Sequence, residues 1–243
     1  MKHPYFSALL FLALLLTSLS TFAQTQSRED LRKELEAKRL EIDTLEKKFL
    51  SASDEDCSTY ADFLRQPNTG LVRLMPREVF DNDIKKGLKT LTIRGGGAYY
   101  SFSRLTHEYG YGSDISLEQG YLSVGFAGAD YGMLVRLSEV PLEQLDSEHP
   151  AARFLAGYTP PTLESEIRKE HRRFSEGTEI NSIIYKTRLP MDVGSTYLLR
   201  SITIDTSDVL VGFKVLRQDS DGSVVLLWKL LKKYQTPLMA RNR

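Results

Sequence analysis

The stretch Ser223–Leu231 limits the fold more than any other part of the chain. Val224, Leu226, Trp228 and Leu230 lie on one side of an extended segment, and Val225, Leu227 and Leu231 on the other. A strand that is apolar on both faces belongs inside a sheet that is covered on both sides. Asp221-Gly222 just ahead of it is a hairpin signal, and Val209, Val211, Phe213 and Val215 share one side of the preceding strand, Val209–Arg217. With Ile180–Arg188 and Thr196–Ile204, these segments predict a C-terminal four-stranded meander. Its nearest cover is a helix over 162–175. That helix follows Pro160-Pro161, has Thr162 as its cap, carries Leu163, Ile167 and Phe174 on one face and stops at Gly177. His171 lies at the edge of the apolar face. Arg168, Lys169, Arg172 and Arg173 are read as a solvated face near the negative end of the helix dipole.

The region 54–140 also reads as β-rich. A short helix over Asp54–Leu64, with Tyr60, Phe63 and Leu64 as its apolar side, ends at Pro67-Asn68-Thr69-Gly70. Strands are then expected at Leu71–Met75, Leu88–Arg94, Ala98–Phe102, Asp114–Gln119, Tyr121–Phe126 and Met133–Leu137. The Pro-containing stretch 141–161 reads as a linker to the region 162–243. The fold class is therefore α+β and β-rich, with mainly antiparallel sheets. An outer-membrane barrel fits badly, because the last strand does not alternate.

Ser27 to about Ala52, within the 24–53 segment, predicts one amphipathic helix. Ser27 with Asp30 three residues on is a start signal, acids fill the first turn, and Lys47 and Lys48 fill the last. Leu31, Leu35, Ile42, Leu45 and Phe49 recur at steps of three and four in a short coiled-coil pattern. Such a stripe implies self-association through the 27–52 helix; the alternatives are that it packs on the body of the same chain or that the helix projects as a stalk between membrane and domain.

Residues 1–23 have the order of a secretory signal. Lys2 and His3 precede an apolar run from Phe6 to Leu16, and Thr21-Phe22-Ala23 places small residues for cleavage after Ala23. Phe6–Ala23 approaches the ~18 residues of a membrane span, so an uncleaved anchor is the alternative. The leader predicts an exported protein of bacterial type, periplasmic or extracellular, with no membrane span in the mature chain.

Basic and acidic residues balance at 32 each in the 243-residue chain, which speaks against a nucleic-acid partner. Cys57 is the single cysteine, so no internal disulfide forms, and burial as a small hydrophobe is expected.

The window Gly95–Gly132 holds nine of the 16 glycines and eight of the 23 Phe and Tyr residues. Tyrosine faces stack on sugars, and glycine lets the backbone turn tightly. Tyr99, Tyr109, Tyr111 and Tyr121 are therefore the candidate ligand-binding residues, with a glycan or another envelope component as partner. Strand and hairpin demands explain the same composition. No cofactor fingerprint is present: after Gly95 and Gly97 the third glycine of a dinucleotide loop falls at Tyr100. No metal-ligand spacing is found, and Asp219-Ser220-Asp221-Gly222 reads as a turn. No catalytic residue is assigned. A hydrolase acting on glycan through paired carboxylates, such as Asp114 and Asp130, is the alternative to a non-catalytic binding or assembly protein. It requires two of Glu108, Asp114, Glu118 and Asp130 to meet in a cleft. A His107, Ser113 and Asp114 triad is conceivable only if space brings them together.

Overall fold

A computed structural model describes residues 27–87, 93–107, 109–110, 112–126 and 130–240, and the chain divides into two compact units between Thr44 and Leu45. Helix α1 (Arg28–Phe49) opens as expected. Ser27 Oγ accepts from the Asp30 backbone N–H at 3.1 Å, and Glu29 pairs with Lys33 at 3.1 Å. Leu31, Leu35 and Ile42 of its stripe are exposed. No helix among the described residues is long and apolar enough to cross a membrane.

The second unit is layered around a five-stranded antiparallel sheet. Its strands are β1 (Thr69–Leu74), β5 (Asp130–Ser138), β9 (Thr196–Thr203), β10 (Ser207–Gln218) and β11 (Val224–Lys233), in the order β1-β11-β10-β9-β5. Strand β11 lies inside this sheet, paired on both sides, as its two apolar faces require. Val224, Leu226 and Trp228 enter one core with Val209, Val211, Phe213 and Val215 of β10. Leu227 enters a second core on the opposite face.

The first core is closed by a four-stranded sheet of β2 (Tyr99–Tyr100), β3 (Ile115–Glu118), β4 (Tyr121–Ser123) and β8 (Arg188–Pro190). Tyr100, Ile115, Leu117 and Leu122 point inward from it. The second core is closed by helices. In α6 (Glu164–Glu176), Ile167 and Phe174 are fully buried beside Leu198, Ile202 and Leu210 of the large sheet. Leu163, rather than Thr162, is the N-cap of α6, and it makes no side-chain capping bond. Thr162 instead gives its carbonyl to the Ala240 N–H at 2.9 Å, which ties down the C-terminal tail.

Three further expectations need correction. The segment Ile180–Arg188 is no fourth strand of the meander. Asn181 and Ser182 both have φ near +60°, which turns the chain into a tight hairpin of β6 (Thr178–Ile180) and β7 (Ile183–Tyr185). The chain then bridges the β5 edge, where Leu134 and Lys186 exchange backbone hydrogen bonds, and enters the small sheet as β8. The neighbours of the β9-β10-β11 meander are β5 and β1, from the first half of the chain.

The 141–161 segment is packed rather than strung out. Leu142, Leu145, Ala152 and Leu155 are buried, the last on α5 (Arg153–Gly157). Pro141 and Pro150 each open a turn, and the residues that follow, Leu142, Leu145 and Leu155, pack in the second core.

Cys57 is exposed. Asp54–Leu64 forms two short helices, α2 (Asp54–Thr59) and α3 (Ala61–Leu64), and the buried position of α2 belongs to Asp56. Asp56 completes a capping box with Ser53 and forms an ion pair with Arg217. Although burial opposes it, these partners hold the Asp56 carboxyl below its usual range. One residue further round the helix, Cys57 faces outward.

The glycine triplet is explained by packing. Gly95, Gly96 and Gly97 all have left-handed φ, and a Cβ on each would meet Tyr99, Phe80 and Leu50 at 2.4–2.7 Å. Phe80 belongs to α4 (Arg77–Lys85), a helix outside the sequence expectations, whose first turn follows Pro76. The strand expected at Leu88–Arg94 lies largely outside the described residues.

The largest fully buried side chain is that of Arg200 on β9. It reaches diagonally to Asp208 on β10 in a two-pronged pair, with Nε to Oδ1 at 2.6 Å and Nη2 to Oδ2 at 2.8 Å. It also donates to the Leu155 carbonyl and lies over the Tyr234 ring. Removing one partner of such a pair strands a buried charge. Arg200→Met should cost roughly 3–5 kcal/mol in urea unfolding, and adding Asp208→Leu should restore most of that loss.

Candidate functional site

The outer face of the small sheet assembles what the sequence scattered. Alternation along the strands sends Tyr100, Ile115 and Leu117 to the core and leaves Tyr99, Ser116 and Glu118 outside. Register places Tyr99 opposite Ser116, Ser116 opposite Ser123, and Ser123 opposite Arg188. The Tyr99 hydroxyl donates to Glu118 Oε1 at 2.5 Å. Burial, together with that carboxylate, pushes the Tyr99 phenol far above its ordinary pKa.

Helix α4 and the glycine turn lean over this face. The Arg77 guanidinium sits 5.1–5.7 Å from the rings of Phe80, Tyr99 and Tyr109, and Arg94 lies 5.7 Å from Tyr109. Tyr99 meets Tyr109 and Phe126 edge to face. Arg188 lies 4.2 Å over the Tyr121 ring and donates to Gln119 Oε1 at 3.1 Å. Between these groups opens a cleft of about 380 Å³. Its rim includes the aromatic Tyr109 and Phe126 and the polar Glu118, Ser123, Thr187 and Arg188.

The structure treats the four tyrosine candidates differently. Tyr99 is 5 % exposed and forms the floor of the cleft, whereas Tyr109 at 38 % offers an edge to it. Tyr121, 39 % exposed, stands beside the cleft under Arg188 and does not line it. Tyr111 and Glu108 lie outside the described residues. Arg77, Arg94, Ser123, Phe126, Thr187 and Arg188 were not singled out from sequence. The period-2 alternation from Tyr121 marks Ser123 as outward-facing, but only strand register brings Arg188 to it.

A second hollow, of about 610 Å³, is lined by Arg73, Arg217, Asp219 and the turn after α1. Its arginines are paired: Arg73 with Asp221, and Arg217 with Asp56 and Asp219.

The carboxylates expected to meet do so away from the cleft. Asp114 and Asp130 are 0 and 1 % exposed. Asp114 Oδ2 accepts from the Phe102 N–H at 2.7 Å and the Ser103 N–H at 3.3 Å, and from Ser101 Oγ at 3.2 Å. Burial nevertheless raises the pKa of Asp114 against these bonds and the neighbouring Ser201. Burial and the Asp114 charge push Asp130 up to about 7. Glu118 is on the other face of the small sheet and does not join them.

His107 makes no triad. Its Nε2–H donates to the Arg73 carbonyl at 2.7 Å, and its ring packs edge-on against Tyr100.

No family model matches the chain, and no curated protein or solved structure matches it significantly.

Burial lowers the His107 pKa, so the ring in the folded protein takes up a proton at lower pH than the unfolded chain, which does so near pH 6.5. Stability from this residue is therefore complete above about pH 6.5 and lost as the pH falls below it. Urea midpoints at pH 7.5 and 5.5 should fall further for the wild type than for His107→Gln.

Proposed function

We propose that this chain is an exported bacterial envelope or secreted protein that acts by binding, not turnover, and holds a glycan in the cleft on the small sheet. The observation that carries this reading is the composition of the cleft wall. Aromatic Tyr109 and Phe126 stand beside a carboxylate, a guanidinium and the hydroxyls of Ser123 and Thr187. A sugar presents both an apolar C–H face and a ring of hydroxyls, and this wall offers a counterpart to each.

The hydrolase reading has less support. Glycoside hydrolysis uses two carboxyl groups flanking one bond. Among its described lining residues the cleft has a single carboxyl, Glu118, while Asp114 and Asp130 are buried elsewhere.

The test is calorimetric titration of the mature chain, residues 24–243, with a panel of neutral, N-acetylated and uronic oligosaccharides. At least one should give saturable heat without being cleaved. Tyr109→Ala and Arg188→Ala should each weaken it at least about tenfold, or ~1.4 kcal/mol. Absence of binding across the panel, or equal binding by both variants, would exclude the cleft as a glycan site.

Leader removal after Ala23 and self-association through the 27–52 helix belong to the same proposal. The exposed apolar residues of α1 support it, because an unpartnered stripe at three- and four-residue spacing favours pairing with its own kind. Leu50 is buried against the body, so the informative truncation ends at Thr44. Sedimentation equilibrium should give a dimer or trimer for residues 24–243 recovered from the exported fraction, and a monomer for residues 45–243. Equal association states for the two chains would remove the helix from the proposal.

A further inference from the structure

At one end of the large sheet a polar row interrupts the apolar core. Asp130, the first residue of β5, is the direct partner of Thr203 on β9, and Thr203 is the direct partner of Ser207 on β10. Directly paired residues present their side chains on the same face. That face is the one turned to the small sheet, since two rows deeper Leu134, Leu199 and Val211 occupy the same positions in the core between the sheets. In the intervening row stand Gly132, Ser201 and Val209. Asp114 enters from the facing sheet, beside Ser201.

Five oxygens at this end have no hydrogen-bond partner among the described residues: Asp114 Oδ1, both carboxylate oxygens of Asp130, Thr203 Oγ1 and Ser207 Oγ. The four residues are 0–3 % exposed. Among the described residues no arginine or lysine forms an ion pair with either acid, and the one buried guanidinium of β9, Arg200, is bound to Asp208 on the opposite face. Buried acceptors left unpaired are rare and call for a missing partner. Two carboxylates and two hydroxyls, three of them on strands and Asp114 on the residue just before β3, are an all-oxygen donor set, the chemistry of a hard cation, and the double negative charge selects a divalent one.

We propose that Asp114, Asp130, Thr203 and Ser207 form a binding site for a hard divalent cation, calcium or magnesium, which locks the two sheets together at this end. Three acidic or histidine ligands are not gathered anywhere among the described residues, so this site differs from an acidic cage: hydroxyls from β9 and β10 complete the shell. The proposal is independent of the cleft, which lies on the outer face of the small sheet.

The mature chain, residues 24–243, is stripped with EDTA, dialysed and melted at pH 7.5 and constant ionic strength, with no addition, with calcium chloride or with magnesium chloride. One of the two cations should raise Tm by about 5 °C or more at a hundredfold excess over its dissociation constant, and the effective salt identifies the ion. Asp130→Asn removes a charge but little volume. It should melt at or above the stripped wild type and lose the cation-dependent rise. Thr203→Val keeps the shape of the side chain and should weaken the cation at least tenfold in calorimetry, which keeps the test decisive if Asp130→Asn folds poorly. No rise with either salt, or an undiminished rise in both variants, would overturn the site. The first result would mean that a proton or buried water alone serves the carboxylates, and the second that cations bind elsewhere.

Discussion

Burial of the large sheet on both faces is the constraint from which the other layers follow. A strand with one wet face can stand at the surface, but β10 and β11 have none to offer, so two covers are required. The small sheet supplies one and the helices α5 and α6, with the packed 141–161 segment, supply the other. Polar side chains caught inside must then be matched internally, because water is excluded from both faces. Arg200 meets this demand through Asp208, the Leu155 carbonyl and the Tyr234 ring, so one buried charge ties β9 and β10 to α5 and the C-terminal tail.

The two faces of the sheet treat charge in opposite ways. On the helix side, acid and base neutralise each other across a diagonal pair. On the side between the sheets, Asp114 and Asp130 share a region without a basic partner among the described residues, and their mutual repulsion adds to the cost of burial. The cleft lies one layer further out. There the small sheet's outward residues meet guanidinium groups from α4 and β8, and tyrosine faces are held by arginines instead of lying bare. This places a carboxylate, an arginine and hydroxyls around an aromatic edge, a combination suited to a polar ligand.

Legibility in the sequence tracked how local the decisive interaction is. The apolar side of β10, Ile167 and Phe174 on the core face of α6 and the capped start of α1 depend on neighbours a few residues away and stand where patterning placed them, whereas Leu163, expected on the same face of α6, caps the helix and is exposed. The hairpin at Asn181-Ser182 was missed because two left-handed residues, neither of them glycine, broke a run that otherwise reads as one strand. The stretch 141–161 misled because proline frequency mimics a linker, whereas burial of Leu142, Leu145 and Leu155 depends on a sheet assembled from remote segments. Cys57 illustrates a helix register set from outside, since Asp56 turns inward to reach Arg217, far along the chain.

By itself the amino-acid order determined that β11 must be covered twice, that glycine and tyrosine concentrate in one window, and that a helix precedes a body of mixed helix and antiparallel sheet. Periodicity and turn chemistry act over a few residues, so the chain states them openly. Only the tertiary structure decided that β1 and β5 flank the meander, that Arg188 comes to Ser123, and that Asp130 stands in line with Thr203 and Ser207. Those pairings join residues up to about 160 positions apart through strand register, which is chosen by the packing of the whole core and leaves no local mark.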